Sequence, residues 1–179
     1  MKKIILFLML ASLQQLLAKD PTLEETFDFI YKKVALTWTY NDDGKIEHYT
    51  RISSFPDQRC TPHYDIKYFG RGDFPKWVHF SSYKLNMKTL DPSRVEVREF
   101  EGKAYVYFYC KEDKQCIQQI SGKHHYKNRH VSDDIKINSK DRLKGMAMDV
   151  AGDKRRNAEQ LKKALIHMIK LCGGTPELF

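Results

Sequence analysis

Apolar and polar residues alternate at strand spacing over most of this chain. Residues 95–100 and 104–110 show the pattern most clearly, as two runs separated by the turn Glu101-Gly102. Strand-like runs with turn signals between them extend over residues 35–137, and helical patterns lie on either side. This order lacks the βαβ alternation of nucleotide-binding folds. We therefore predict an α+β fold with an antiparallel sheet.

Helical patterns mark both ends of this strand-rich stretch. Thr22 and Glu25 have capping-box spacing at the start of the first helix, which should end near residue 34. Its apolar face comprises Leu23, Phe27, Ile30, Tyr31 and Val34. The last helix has an apolar stripe of Ala158, Leu161, Ala164, Leu165, Met168, Leu171 and Cys172. Gly173-Gly174 then predicts a left-handed stop.

The first residues have the order of a secretory signal peptide. Lys2 and Lys3 precede an apolar run over residues 4–10, and Ala18 is a small residue suited to cleavage. The run is far shorter than the roughly 20 residues that span a bilayer. We expect residues 1–18 to be removed and residues 19–179 to form a single domain. The product would be exported, periplasmic or secreted, without a transmembrane segment after cleavage.

The chain has four cysteines, which is an even number suited to two disulfides in an oxidising compartment. Three connectivities are open, and four buried free thiols are the alternative. Cys110 and Cys116 flank a polar connection between two strand-like runs, where a hairpin would allow them to bridge. In that case Cys60 and Cys172 would form the other pair, linking an early strand to the last helix.

The chain carries a formal charge of +8, which favours contact with anionic surfaces or polymers. Basic residues with an interleaved aromatic are typical of polyanion contacts. The candidate anion-binding residues are Lys123, Tyr126, Lys127, Arg129, Arg155 and Arg156. The moderate charge and the expected export argue against nucleic acid as a partner.

No residue pattern of a known enzyme or metal site occurs in the sequence. His124, His125 and His130 are candidate ligands, but adjacent basic residues disfavour a cation. We predict residues 124–129 to be a solvated loop and residues 131–137 to be a short last strand. Phosphate loops, glycine-rich dinucleotide turns and nucleophile elbows are absent from the sequence. We therefore expect no catalytic residues, cofactor or metal.

Residues 23–30 (LEETFDFI) and 158–174 (AEQLKKALIHMIKLCGG) carry a family resemblance. Together with the strand-rich middle, they resemble small exported proteins of Bacteroidota that have a pleckstrin-homology-like (PH-like) domain. In that family an N-terminal helix precedes a bent antiparallel sheet, and a C-terminal amphipathic helix plugs one end. The resemblance implies a bent sheet or partly open barrel of about seven strands. It implies no catalytic residue.

Alternation places Tyr105, Tyr107 and Tyr109 on the opposite face of their strand from residues 104, 106, 108 and 110. If left exposed, this aromatic face would mark an interaction site. The alternative is that the first helix covers it through Phe27, Ile30 and Tyr31. We predict a non-catalytic binding or interaction module of the cell envelope, with an envelope protein or an anionic glycan as partner. The alternatives are a small secreted hydrolase with dispersed active-site residues and a structural subunit of an envelope assembly.

Overall fold

The computed structural model describes residues 20–34, 37–40, 46–54, 58–68, 77–127, 130–150 and 155–174. The side chains of residues 37–40, 46–49, 68, 77, 124–127 and 130–135 lie outside that description, as does the predicted signal peptide. Helix α1 spans Leu23–Val34 and helix α2 spans Arg155–Leu171. The strands are β1 Thr37–Tyr40, β2 Ile46–Ser53, β3 His63–Tyr68, β4 Trp77–Lys84, β5 Leu90–Phe100, β6 Lys103–Cys110, β7 Ile117–Lys127, β8 His130–Leu143 and β9 Gly145–Asp149.

The strands form two antiparallel sheets, which confirms the α+β class. A six-stranded sheet has the order β1-β2-β3-β4-β7-β8, and a three-stranded sheet has the order β5-β6-β9. The predicted single bent sheet of about seven strands is instead nine described strands in two sheets, and these do not close into a barrel. Strand β9 was missed in the sequence, since its five residues are too few for a clear alternation.

The chain passes between the two sheets at one corner. Strands β6 and β9 pair in the small sheet, and their chain neighbours β7 and β8 pair in the large sheet. The Cys110 amide donates to the Lys144 carbonyl at 2.7 Å, and the Cys110–Cys116 disulfide lies at the same corner. This disulfide was predicted, but its basis in a hairpin was wrong. The short 3-10 turn Lys111–Asp113 directs the chain into the other sheet instead.

Residues 124–127, predicted as loop, belong to β7. His124 lies opposite both Val78 of β4 and Ile135 of β8, residue 125 pairs with β4, and residues 126 and 127 pair with β8. Strand β8 is also longer than the predicted residues 131–137. Polar composition suggested a loop, but two neighbouring strands provide the hydrogen bonds that make this segment a strand.

The second disulfide joins Cys60 to Cys172 and ties the end of α2 to the segment before β3. The same segment is held by two backbone bonds, from Leu85 to the Pro62 carbonyl and from Met87 to the Cys60 carbonyl, both 2.9 Å. The conditional pairing of Cys60 with Cys172 is therefore confirmed.

Helix α2 packs on β5 and β6 and buries one side of the small sheet. Its buried residues are Ala158, Leu161, Leu165, Met168 and Ile169. Leu171, predicted on the apolar stripe, is 45% exposed. Gly173 has a φ of 83°, which confirms the left-handed stop.

Helix α1 begins at the predicted capping box. The Thr22 amide donates to Glu25 Oε2 at 2.8 Å, and the Glu25 amide donates to Thr22 Oγ1 at 3.2 Å. The helix packs on α2 and β2 through Phe27, Ile30 and Val34. Tyr31, predicted on this face, is 41% exposed. Neither of the two described helices is long and apolar enough to cross a membrane.

Candidate binding site

Three tyrosines of β6 form an outward surface on the small sheet. Tyr105, Tyr107 and Tyr109 are half-buried, whereas the alternate residues of the strand are buried under α2. The alternation predicted from the sequence is confirmed. The expectation that α1 covers the tyrosines was wrong, because α1 packs on α2 and β2.

Residues of β5 complete this surface beside the tyrosines. Glu96 lies directly opposite Tyr107 and Arg98 lies directly opposite Tyr105, so these side chains share one face. Arg94 reaches Tyr109 on the same side. We use the name tyrosine face for the set Arg94, Glu96, Arg98, Tyr105, Tyr107 and Tyr109.

The two arginines stack on the tyrosine rings. Arg98 Cζ lies 4.8 Å from the ring centroid of Tyr107, and Arg94 Cζ lies 5.0 Å from that of Tyr109. Carboxylates hold both guanidinium groups in these positions. Arg94 Nη1 donates to Asp113 Oδ1 at 2.9 Å, and Arg98 donates to Glu96. Each of the two guanidinium groups therefore has both a carboxylate partner and an aromatic ring contact.

In each ion pair the pKa of one member is shifted. The hydrogen bond from Arg94 lowers the pKa of Asp113 below its usual value. The hydrogen bond to Glu96 raises the pKa of Arg98. Arg98 is thus paired with Glu96 of the tyrosine face, and Arg94 is paired with Asp113 next to it, so each of the two arginines has a carboxylate partner.

Because residue 145 is glycine, the Tyr109 ring can pack directly on the backbone of β9. A Cβ atom on Gly145 would lie 2.5 Å from Tyr109 Cδ1 and 2.8 Å from the Phe108 carbonyl oxygen. Any larger residue would displace the ring or the strand. This glycine was not singled out in the sequence, where strand β9 itself was missed.

The predicted anion-binding residues lie on separate elements. Lys123 is half-buried in β7 of the large sheet, whereas Arg155 and Arg156 are exposed in the first turn of α2. Arg155 also contacts Glu99 at 3.4 Å. The side chains of Tyr126 and Lys127, and the whole of Arg129, lie outside the described residues. An anion site built from all six residues stays a prediction.

A serine and a histidine are adjacent at one end of the large sheet. Ser53 of β2 lies directly opposite His63 of β3. They line a cavity of about 110 Å³ together with Ser54, Gln58 and Thr61. The sequence did not reveal this pair, since strand pairing brings the two residues together. A serine beside a histidine is the arrangement that the hydrolase alternative requires.

A larger groove of about 500 Å³ lies between α1 and α2. His167 Nε2 is 2.8 Å from the Pro21 carbonyl oxygen, and Glu25 belongs to the capping box. These polar groups hold the start of α1 in place.

Within the described part of the chain, His, Cys, Asp and Glu residues form no group of three that could hold a metal ion. The side chains of His124, His125 and His130 lie outside that part.

Comparison of the chain with family models, curated proteins and solved structures found no match. The resemblance to exported PH-like proteins therefore stays a prediction, and the arguments about function rest on the residues of this chain.

Proposed function

We propose that this protein is an exported, non-catalytic binding module of the cell envelope that binds a partner protein through the tyrosine face. The observation that carries the proposal is the stacking of Arg94 and Arg98 on half-buried tyrosines, on the side of the small sheet opposite α2. Tyrosine and arginine are enriched at protein interfaces and among the residues that contribute most binding energy.

The arrangement also favours tight binding on entropic grounds. Arg94 is held by both Asp113 and Tyr109, and Arg98 by both Glu96 and Tyr107. Side chains already ordered in the free protein lose less conformational entropy when a partner binds. Because carboxylates pair with both arginines, the face suits a polar protein surface better than a strongly anionic ligand.

Export is part of the proposal, and two observations support it. The first is the signal-peptide pattern of residues 1–18. The second is the pair of disulfides, since such bonds persist in oxidising compartments outside the cytoplasm.

Site-specific photo-crosslinking in cells that produce the protein tests this function. A benzophenone side chain at position 107 should form one discrete adduct with a partner protein, and the same group at Lys163, exposed on α2, should not. Binding of the purified partner should then weaken at least tenfold in Tyr109→Ser and in Arg98→Ser. Equal adducts at both positions, or none at position 107, would contradict the proposal. A stoichiometric complex that never dissociates would favour the structural-subunit alternative.

The hydrolase alternative rests on the pairing of Ser53 with His63. A serine nucleophile needs a base within hydrogen-bond reach, and neighbouring strands bring these two residues together. Hydrolysis of small activated esters that is lost in both Ser53→Ala and His63→Ala, with the fold retained, would favour an enzyme over the binding module.

A further inference from the structure

The outward face of the six-stranded sheet carries a cross-strand set of basic side chains. Directly opposite residues of antiparallel neighbours point to the same side of a sheet. The strand register therefore places three rows on one face. The rows are Ser53, His63, Lys84, Gln118, Arg142; then Arg51, Asp65, Ser82, Ile120, Lys140; then Lys67, Phe80, Gly122, Ile137.

Five cations occupy this surface, which we call the basic face: Arg51, Lys67, Lys84, Lys140 and Arg142. Among its described side chains one carboxylate is present, that of Asp65. It accepts a hydrogen bond from Ser82 Oγ at 2.6 Å and lies 3.6 Å from Arg51. Lys84, Lys140 and Arg142 are exposed to solvent. Among the described side chains of this face, five cations therefore stand against one carboxylate.

Apolar side chains lie between these cations. Ile137 is 53% exposed and Ile120 is 37% exposed, because both lie on the outward face of the sheet. Phe80 lies across Gly122, where an added Cβ would come within 2.9 Å of its ring. Ile120, Ile137 and the Phe80 ring therefore form an apolar strip among the basic residues.

We propose that the basic face binds an acidic polysaccharide. The carboxylates of the polymer would pair with the lysines and arginines, and its sugar rings would pack on Ile120, Ile137 and Phe80. The cations extend from β2 to β8, which is four strand spacings or roughly 19 Å. This open, wide surface suits an extended polymer that crosses the strands. A second copy of this chain is disfavoured, because two positive faces would repel each other.

The proposal is tested by the binding of purified, disulfide-intact protein to immobilised polygalacturonate, with neutral dextran as the comparison polymer. We expect binding to polygalacturonate alone, and we expect it to weaken as the salt concentration rises, since exposed charges are screened. Lys140→Glu/Arg142→Glu should weaken binding at least tenfold. Lys32→Glu/Lys163→Glu, with the same change in net charge at exposed helical positions, should stay within twofold of the unchanged protein.

Further variants separate the contributions to binding. Lys84→Glu, on β4, should also weaken binding severalfold. This variant tests the proposal even if Lys140→Glu/Arg142→Glu, on β8, does not fold. Ile137→Ser should weaken binding severalfold without any change in charge. Equal losses in the helical control, equal binding to dextran or tighter binding to poly-glutamate would each overturn the proposal. Tyr109→Ser should leave this binding unchanged, so failure here and failure of the proposed protein-binding function can be told apart.

Discussion

The hydroxyl of Tyr64 accepts a hydrogen bond of 2.9 Å from the backbone amide of Asp149. Tyr64 belongs to β3 of the large sheet and Asp149 to β9 of the small sheet, so this bond joins the two sheets. The tyrosine is fully buried. Its hydroxyl therefore makes a hydrogen bond inside the core, where a polar group without a partner lowers the free energy of unfolding.

Tyr64→Phe should lower the free energy of unfolding by about 1–3 kcal/mol, because the Asp149 amide would lose this partner. Chemical denaturation of the disulfide-intact protein measures the change. Tyr83→Phe is a matched control, since its hydroxyl contacts Gln119 within the large sheet at 3.3 Å. We expect a smaller loss there. Equal losses of unfolding free energy in the two variants would show that the hydrogen bond between the sheets contributes no more than the one within the large sheet.

The two disulfides should differ in their effect on stability. Cys60–Cys172 closes a separation of 112 residues, whereas Cys110–Cys116 closes one of 6. The chain-entropy treatment of the unfolded state gives about 5 kcal/mol for the long loop and about 2 kcal/mol for the short one. Urea unfolding of Cys60→Ser/Cys172→Ser and of Cys110→Ser/Cys116→Ser tests this order. A larger loss in the second variant would mean that the corner contacts outweigh loop entropy.

Gly145→Ala should destabilise the protein by about 1–3 kcal/mol, because the added methyl group overlaps the Tyr109 ring and the Phe108 carbonyl. The chemical shifts of the Tyr109 ring should move as well. Gly102→Ala provides the comparison, since nothing lies within 4 Å of an added Cβ and only its φ of 74° opposes alanine. That variant should lose about 1 kcal/mol and leave the Tyr109 shifts unchanged. Unmoved Tyr109 shifts in Gly145→Ala would contradict the packing argument.

The pairing of Asp113 with Arg94 should contribute a pH-dependent part of the stability. The pKa of Asp113 is lowered in the folded protein by the hydrogen bond from Arg94. Its contribution is therefore present above the unfolded-state pKa, about 3.9, and is lost as the pH falls through the folded-state value. Carbon-detected NMR titration should place the carboxyl pKa below the usual range. Arg94→Gln should raise it, and an unchanged pKa in that variant would remove Arg94 as the cause.

Some of the candidate site could be predicted because neighbouring residues encode it. The alternation that separates Tyr107 from Phe108 depends on the strand period alone, and the structure follows it. The arginine partners of the tyrosines could not be assigned. They depend on the register of β5 against β6 and on the turn that brings Asp113 to Arg94.

Features that need only local contacts follow from the sequence alone: the capping box of Thr22 and Glu25, the two helices and the alternation along β6. Hydrogen bonds over three or four residues and side-chain periodicity suffice for these. Strand pairing and tertiary packing were needed to place β7 in the large sheet, α2 over the small sheet, and Ser53 opposite His63. They also place Arg51 and Arg142 on one outward face. Such relationships depend on pairing between distant segments, and the period of a strand indicates which faces are apolar without specifying its neighbours.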